Sequence, residues 1–149
     1  GWIYGITFAG KEVRPNLFRF SPKTETVEML CPDFLSGDYT TVAVLSPDAR
    51  FVYYLPGAHG SAWKIGTPVV QYDVRKQARK VLAFLRDPCK SRLGYVPAGT
   101  YGVKISADGS TLYVNFNGHA DDPYRLPEMR PTGFGLTAFA AIHIHPEER

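Results

Sequence analysis

A strand–turn–strand unit occurs twice in this chain, 60 residues apart, and that repeat limits the fold more than any other feature. Residues 42–54 read VAVLSPDARFVYY and residues 102–114 read GVKISADGSTLYV. In both copies an alternating stretch runs into a Ser-x-Asp turn, at Ser46 to Ala49 and at Ser106 to Gly109, and then into a second alternating stretch. Asp suits such a turn because its carboxylate bonds the backbone that follows, and Gly suits it because positive φ meets no Cβ clash. A second unit is interleaved with the first. Leu17 to Thr24 leads into Thr26 to Leu30, and Val69 to Lys76 leads into Arg79 to Phe84. A third copy of its first strand stands at Ala141 to Pro146. Alternation is plain here too: Phe18 and Phe20 bracket Arg19, and Val70 and Tyr72 bracket Gln71, the period of a strand with two different faces.

Laid end to end, these units predict ten strands in the order b, c, d, then a, b, c, d, then a, b, c. The first set covers Trp2 to Phe8, Leu17 to Ser21 and Thr26 to Leu30. The second covers Thr41 to Leu45, Phe51 to Leu55, Pro68 to Asp73 and Lys80 to Leu85. The third covers Tyr101 to Ile105, Thr111 to Phe116 and Thr137 to His145. No segment of ten or more residues has helical periodicity, so the expected class is all-β with hardly any helix. Aromatics at 13%, with 14 Gly and 12 Pro spread along the chain, suit short strands joined by frequent turns.

The run from Ser46 to Tyr53, followed by Val70 to Val74, resembles the blade pattern of WD40-like bacterial propellers, the group that includes TolB-type, YVTN-type and lactonase-type folds. The resemblance implies a β-propeller segment of about three four-stranded antiparallel blades, near 1–36, 37–94 and 95–149, with the first and last incomplete. A ring of blades needs about four or more. The remaining blades are therefore expected upstream in the same polypeptide, or in other copies of the chain. The resemblance also puts the b–c and d–a loops on one face, where such propellers carry ligand and metal sites.

His59 and His119 occupy matching positions, each eleven residues after its turn Asp. As neighbours on that face they are candidates for a catalytic base or, with Asp121, for ligands of a divalent metal such as Zn²⁺, Mn²⁺ or Fe²⁺. The loops that follow are the longest in the chain and mix aromatics with charge. Trp63, Lys64, Tyr124 and Arg125 are the candidate ligand-binding residues there. His143 and His145 share a face of the last strand, but their counterparts Arg19 and Ser21, and Gln71 and Asp73, are polar as well, which makes the position polar by repeat. Cys31 and Cys89 are too few for a disulfide framework and lack zinc-site spacing; each is expected in a loop just after a d strand.

The net charge is +3, and the basic cluster from Arg75 to Arg92 reads as a solvated hairpin and its flanks, so no nucleic-acid partner is expected. No apolar run reaches the roughly 18 residues of a membrane span. A Gly-rich phosphate loop, a Gly-x-Ser-x-Gly elbow and a His-Glu-x-x-His motif are all missing from the sequence. The expected function is a binding face on the b–c and d–a loops for a small molecule, glycan or protein. The alternative is part of a metal-dependent lyase or hydrolase that uses the loop histidines. A periplasmic or secreted location is favoured.

Overall fold

The two repeated turns are built by the same atoms. Ser46 Oγ donates to Asp48 Oδ1 at 2.6 Å and accepts from Phe51 N at 2.8 Å and Arg50 N at 3.2 Å. Sixty residues on, Ser106 Oγ donates to Asp108 Oδ1 at 2.6 Å and accepts from Thr111 N at 2.9 Å and Ser110 N at 3.0 Å. The residue after each Asp sits at positive φ, 56° at Ala49 and 73° at Gly109. Each turn thereby satisfies its own backbone donors and delivers two strands in antiparallel register.

The structure, a computed structural model, describes residues 1–7, 16–31, 42–57, 62–120 and 135–149. Among them ten strands form three antiparallel sheets. The first sheet holds β1 (Ile3–Ile6), β2 (Leu17–Ser21) and β3 (Thr26–Cys31) in sequence order. The second holds β4 (Ala43–Leu45), β5 (Phe51–Tyr54), β6 (Pro68–Asp73) and β7 (Ala78–Phe84). The third holds β8 (Tyr95–Ile105), β9 (Thr111–Ala120) and β10 (Leu136–His143). Every neighbour in a sheet is also the neighbour in sequence, and no sheet is closed. The all-β class expected from alternation is the class observed.

The second sheet is the middle layer. All four residues of β5 and all six of β6 are buried, which requires cover on both faces. Phe51, Tyr53, Leu55 and Val69 pack with Val103, Leu112, Val114, Phe116 and Ile144 of the third sheet and its continuation. Val52, Tyr54, Val70 and Tyr72 pack with Leu17, Cys31, Tyr4 and Ile6 of the first. Each fully buried apolar side chain of this size contributes about 1.5–3 kcal/mol of burial, so the two faces of β5 and β6 carry most of the cohesion between layers. Burial pushes the Tyr54 phenol up to about 12.

The chain departs from the sequence reading in four places. An eight-residue helix, α1 (Arg86–Leu93), follows β7, where only a connection was expected. Cys89 therefore lies on a helix, and Cys31 ends β3 inside the core; neither is in a disulfide. β8 begins at Tyr95 and β9 runs on to Ala120, so the third sheet is longer than predicted at that end. β10 stops at His143, because Ile144 turns into the core and His145 caps a 3₁₀ turn at Pro146–Glu148. No helix among the described residues is long and apolar enough to cross a membrane.

Candidate functional site

The connections of the second and third sheets divide between two ends. At one end the turns at Ser46 and Ser106 touch: a Cβ on Gly109 would lie 3.4 Å from Pro47 Cδ. At the other end β5 and β9 finish, β6 and β8 start, and α1 lies between β7 and β8. This second end is where the sequence places its candidates.

The base of the first loop is pinned there. Ala62 N donates to Gly57 O at 2.7 Å, and Gly57 takes φ 86° with Ala62 backbone so close that no Cβ fits. Ala62–Ile65 then form a 3₁₀ turn that carries Trp63, half-buried, and Lys64, exposed. Arg86 Nη1 donates to Trp63 O at 3.2 Å, which ties this turn to the start of α1. Leu85 N donates to Thr67 O and Arg86 N to Gly66 O, at 3.0 and 3.1 Å. The buried Thr67 donates from Oγ1 to Pro97 O at 2.6 Å, and Pro97 pairs with Gly118. One residue further, Val96 pairs with His119. A single ladder of contacts thus links the Trp63 turn, the β8 start and the β9 end.

His119 lies within β9, not in the loop expected after it, because β8 supplies four additional residues for pairing. Its Nδ1 is 3.2 Å from Ala120 O. A carbonyl only accepts, so Nδ1 is the donor of this contact, and in the neutral ring the lone pair is then on Nε2. Nε2 is buried and has no hydrogen-bond partner among the described residues. An imidazole fixed in this tautomer is the form that ligates a metal or accepts a proton.

His59, Asp121, Tyr124 and Arg125 lie outside the described residues. Among the described residues no three His, Cys, Asp or Glu side chains come together as a metal site. His143 and His145, expected on one strand face, have separate structural roles. His143 Nδ1 is 3.2 Å from Thr111 Oγ1, and His145 Nδ1 accepts from Glu147 N at 3.4 Å as the cap of the last turn.

A groove at the opposite end was not anticipated. It encloses about 310 Å³ and is lined by Arg50, Gln71, Asp73, Lys80 and the C-terminal Glu148 and Arg149. Gln71 Nε2 donates to Tyr53 Oη at 3.1 Å and to Glu148 O at 2.5 Å, Lys80 pairs with Glu148, and Arg50 pairs with Asp73 at 3.1 Å. Burial pushes the Asp73 carboxyl up, but bonds from Lys76 N, Arg50 and Arg75 N outweigh it and hold it below its ordinary value. Gln71 and Lys80 thereby fasten Glu148 near the end of the chain. The sequence signal was the polar pair in each c strand, Gln71 and Asp73 among them.

No protein-family model matches the chain, and no curated protein is significantly similar to it.

Proposed function

We propose that the chain is a segment of a β-propeller whose loop-bearing end forms part of a ligand- or partner-binding face. The observation that carries this reading is the constant sense of stacking. The face of the second sheet that meets the first, with Val52 and Tyr54, has the same position in the repeat as the face of the third sheet that meets the second, with Leu112 and Val114. Antiparallel meanders that each lay the same face on the preceding sheet are what a radial repeat requires. The binding face is assigned to the end with the Trp63 turn because the opposite end is built from short turns and a groove in which Arg50 pairs with Asp73 and Lys80 with Glu148. Trp63 and Lys64 offer an aromatic surface and a cation there, and Tyr124 and Arg125, outside the described residues, are the further candidates from the sequence.

Ligand-observed NMR against a library of glycans and small metabolites tests the reading. Ligands found with the wild-type chain should be lost with Trp63→Ala/Lys64→Ala and kept with Lys76→Ala at the other end. Ligands that bind both variants alike, or a library without ligands, contradict it.

The lone pair at His119 Nε2 supports a second reading, a metal-dependent lyase or hydrolase in which His59 and Asp121 complete the ligand set. Elemental analysis of purified protein tests it: a stoichiometric divalent metal that is lost in His119→Ala supports this reading, and metal-free wild-type protein contradicts it.

A further inference from the structure

We propose that the groove on the second sheet is a recognition site for an acidic peptide, closed in this structure by the chain's own turn at Pro146–Glu148. The groove lies at the opposite end from the Trp63 turn, so the proposal goes beyond the binding face described above and does not rest on it.

The argument starts from one row of side chains. Tyr53 pairs with Gln71, and Gln71 pairs with Lys80, in the registers of β5, β6 and β7. Directly opposed residues share a face, so a phenol, a carboxamide and an ammonium stand side by side across three strands. Tyr53 and Gln71 are 1% and 2% exposed, while the Lys80 side chain is 51% exposed. The row thus runs from a dry floor to a wet rim. On the floor, Gln71 Nε2 donates to Tyr53 Oη at 3.1 Å, and it also donates to Glu148 O at 2.5 Å. At the rim, Lys80 Nζ meets the Glu148 carboxylate.

The row sets two demands. A carboxamide buried this deeply needs acceptors for its N–H groups, because an unmet donor there carries its full desolvation penalty. The ammonium at the rim needs an anion. Asp73, on the groove's own wall, is already held by Arg50 and by the backbone N–H groups of Arg75 and Lys76. One residue of the turn meets both demands: Glu148 gives its backbone carbonyl to Gln71 and its side chain to Lys80. Floor and rim therefore specify a peptide carbonyl beside a glutamate carboxylate, which is the chemistry of an acidic peptide.

The turn that supplies these groups is lightly seated. None of its residues is buried. The groove of about 310 Å³ borders it, and cavities of about 190 and 240 Å³ adjoin it, the first against His145 and Glu148 and the second against Arg149. Part of its bonding is to itself: Glu148 N donates to His145 O at 2.9 Å, and Arg149 Nε donates to Ile144 O at 3.0 Å. Ile144, 4% exposed, is the apolar anchor just before it. Segments with few buried apolar contacts open at low cost. The two contacts with Gln71 and Lys80 are polar and exchangeable. A peptide that brings the same carbonyl and carboxylate replaces them without leaving either group unmet. Peptide and turn therefore compete for one site, and the apparent affinity of the peptide is reduced by the fraction of molecules in which the turn is away.

Fluorescence anisotropy with dye-labelled acetyl-His-Pro-Glu-Glu-Arg-amide, the sequence of 145–149, tests the proposal on the full chain. Glu148→Lys sets like charges on the turn and on Lys80, which opens the groove. It should bind the peptide about tenfold or more tighter than wild type, whose site is filled from within. Replacing the peptide's second Glu by Gln, or adding Lys80→Ser to Glu148→Lys, should take that gain away. Lys80→Glu alone should also open the groove and move its preference to a peptide with Lys at that place. Adding Glu148→Lys to Lys80→Glu should close the groove to that second peptide. If Glu148→Lys disturbs the far-UV circular dichroism, Glu148→Ser serves the same design. No gain in Glu148→Lys over wild type, binding indifferent to the peptide's Glu or to Lys80, or a double variant that binds the second peptide as Lys80→Glu does, overturns the proposal. Glutarate or inorganic phosphate that displaces the peptide at equal concentration would show that the site reads charge alone and would overturn the peptide assignment.

Discussion

Replacing Ser46 and Ser106 by Ala probes the repeat at the level of single atoms. Both hydroxyls donate to an Asp at 2.6 Å and accept from two backbone N–H groups, so an argument from contacts alone gives equal costs. The surroundings break the tie. Ser46 is buried, and the N–H of the buried Phe51 loses its Ser46 acceptor in Ser46→Ala, a penalty of about 1–3 kcal/mol. Ser106 is half-buried, and Ser110 supplies a second hydroxyl, which donates to Asp108 at 2.8 Å and lies 3.4 Å from Ser106 Oγ. Arg50 stands at that position in the first copy and has no such group. Ser46→Ala should therefore cost about 2 kcal/mol and Ser106→Ala about 1 kcal/mol. Urea unfolding of the full chain, followed by tyrosine and tryptophan fluorescence with the slope checked for constancy, measures both. Equal costs, or a larger cost at Ser106, would refute the claim that burial and the extra hydroxyl set the difference.

The same two turns make a reciprocal prediction. Ala49→Gly should stabilise the chain by about 0.5 kcal/mol, because a Cβ at positive φ costs about 1–2 kcal/mol and the added freedom of Gly in the unfolded chain returns part of it. Gly109→Ala should destabilise by about 1 kcal/mol, and thermal melts of the pair check the opposite signs. Acid should weaken the fold between about pH 4 and pH 2. The Ser46 hydroxyl holds the Asp48 carboxyl low, and the Ser106 hydroxyl with Ser110 brings the Asp108 carboxyl down to about 2. Carboxyls depressed in the folded state add stability above their unfolded pKa of about 4 that is lost as pH falls through the folded value. Melting temperatures that stay flat down to pH 2 would show that these bonds do not couple to folding. Gly118→Ala should destabilise strongly, since its Cβ would run into Val96 O and the Tyr95 ring, and soluble yield with a melt gives the readout.

The strands were legible because alternation and the turn residues agreed. Ser-Pro-Asp-Ala-Arg at 46–50 and Ser-Ala-Asp-Gly-Ser at 106–110 set two hairpins, and Phe18, Phe20, Val70 and Tyr72 set the strand faces. α1 was not legible by period: Arg86, Asp87, Lys90, Ser91 and Arg92 give it no apolar stripe, and none of its residues is buried. Its signals were local, Pro88 in the first turn and Gly94 at φ 59° just past the end. The long β8–β9 ladder hid behind two register shifts, at Pro97/Gly99 and Thr100/Gly102, which break alternation and moved His119 from an expected loop into a strand. Pro146 signalled the end of β10, since it ends ladder pairing. Of the candidate site, Trp63 and Lys64 lie in the connection after β5 where the sequence put them and His119 lies near the end of β9, while the Thr67 to Pro97 bridge is a tertiary contact that no linear pattern encodes.

An experimentally determined structure of the protein tests the central claim most directly, namely that successive sheets repeat one packing relation around an axis. The account predicts that the three sheets are related by successive rotations of like size about one axis, with the Trp63 turn and the β9 end on one rim. Sheets stacked in parallel planes without a common axis, or Trp63 turns and β9 ends on opposite rims, would contradict it.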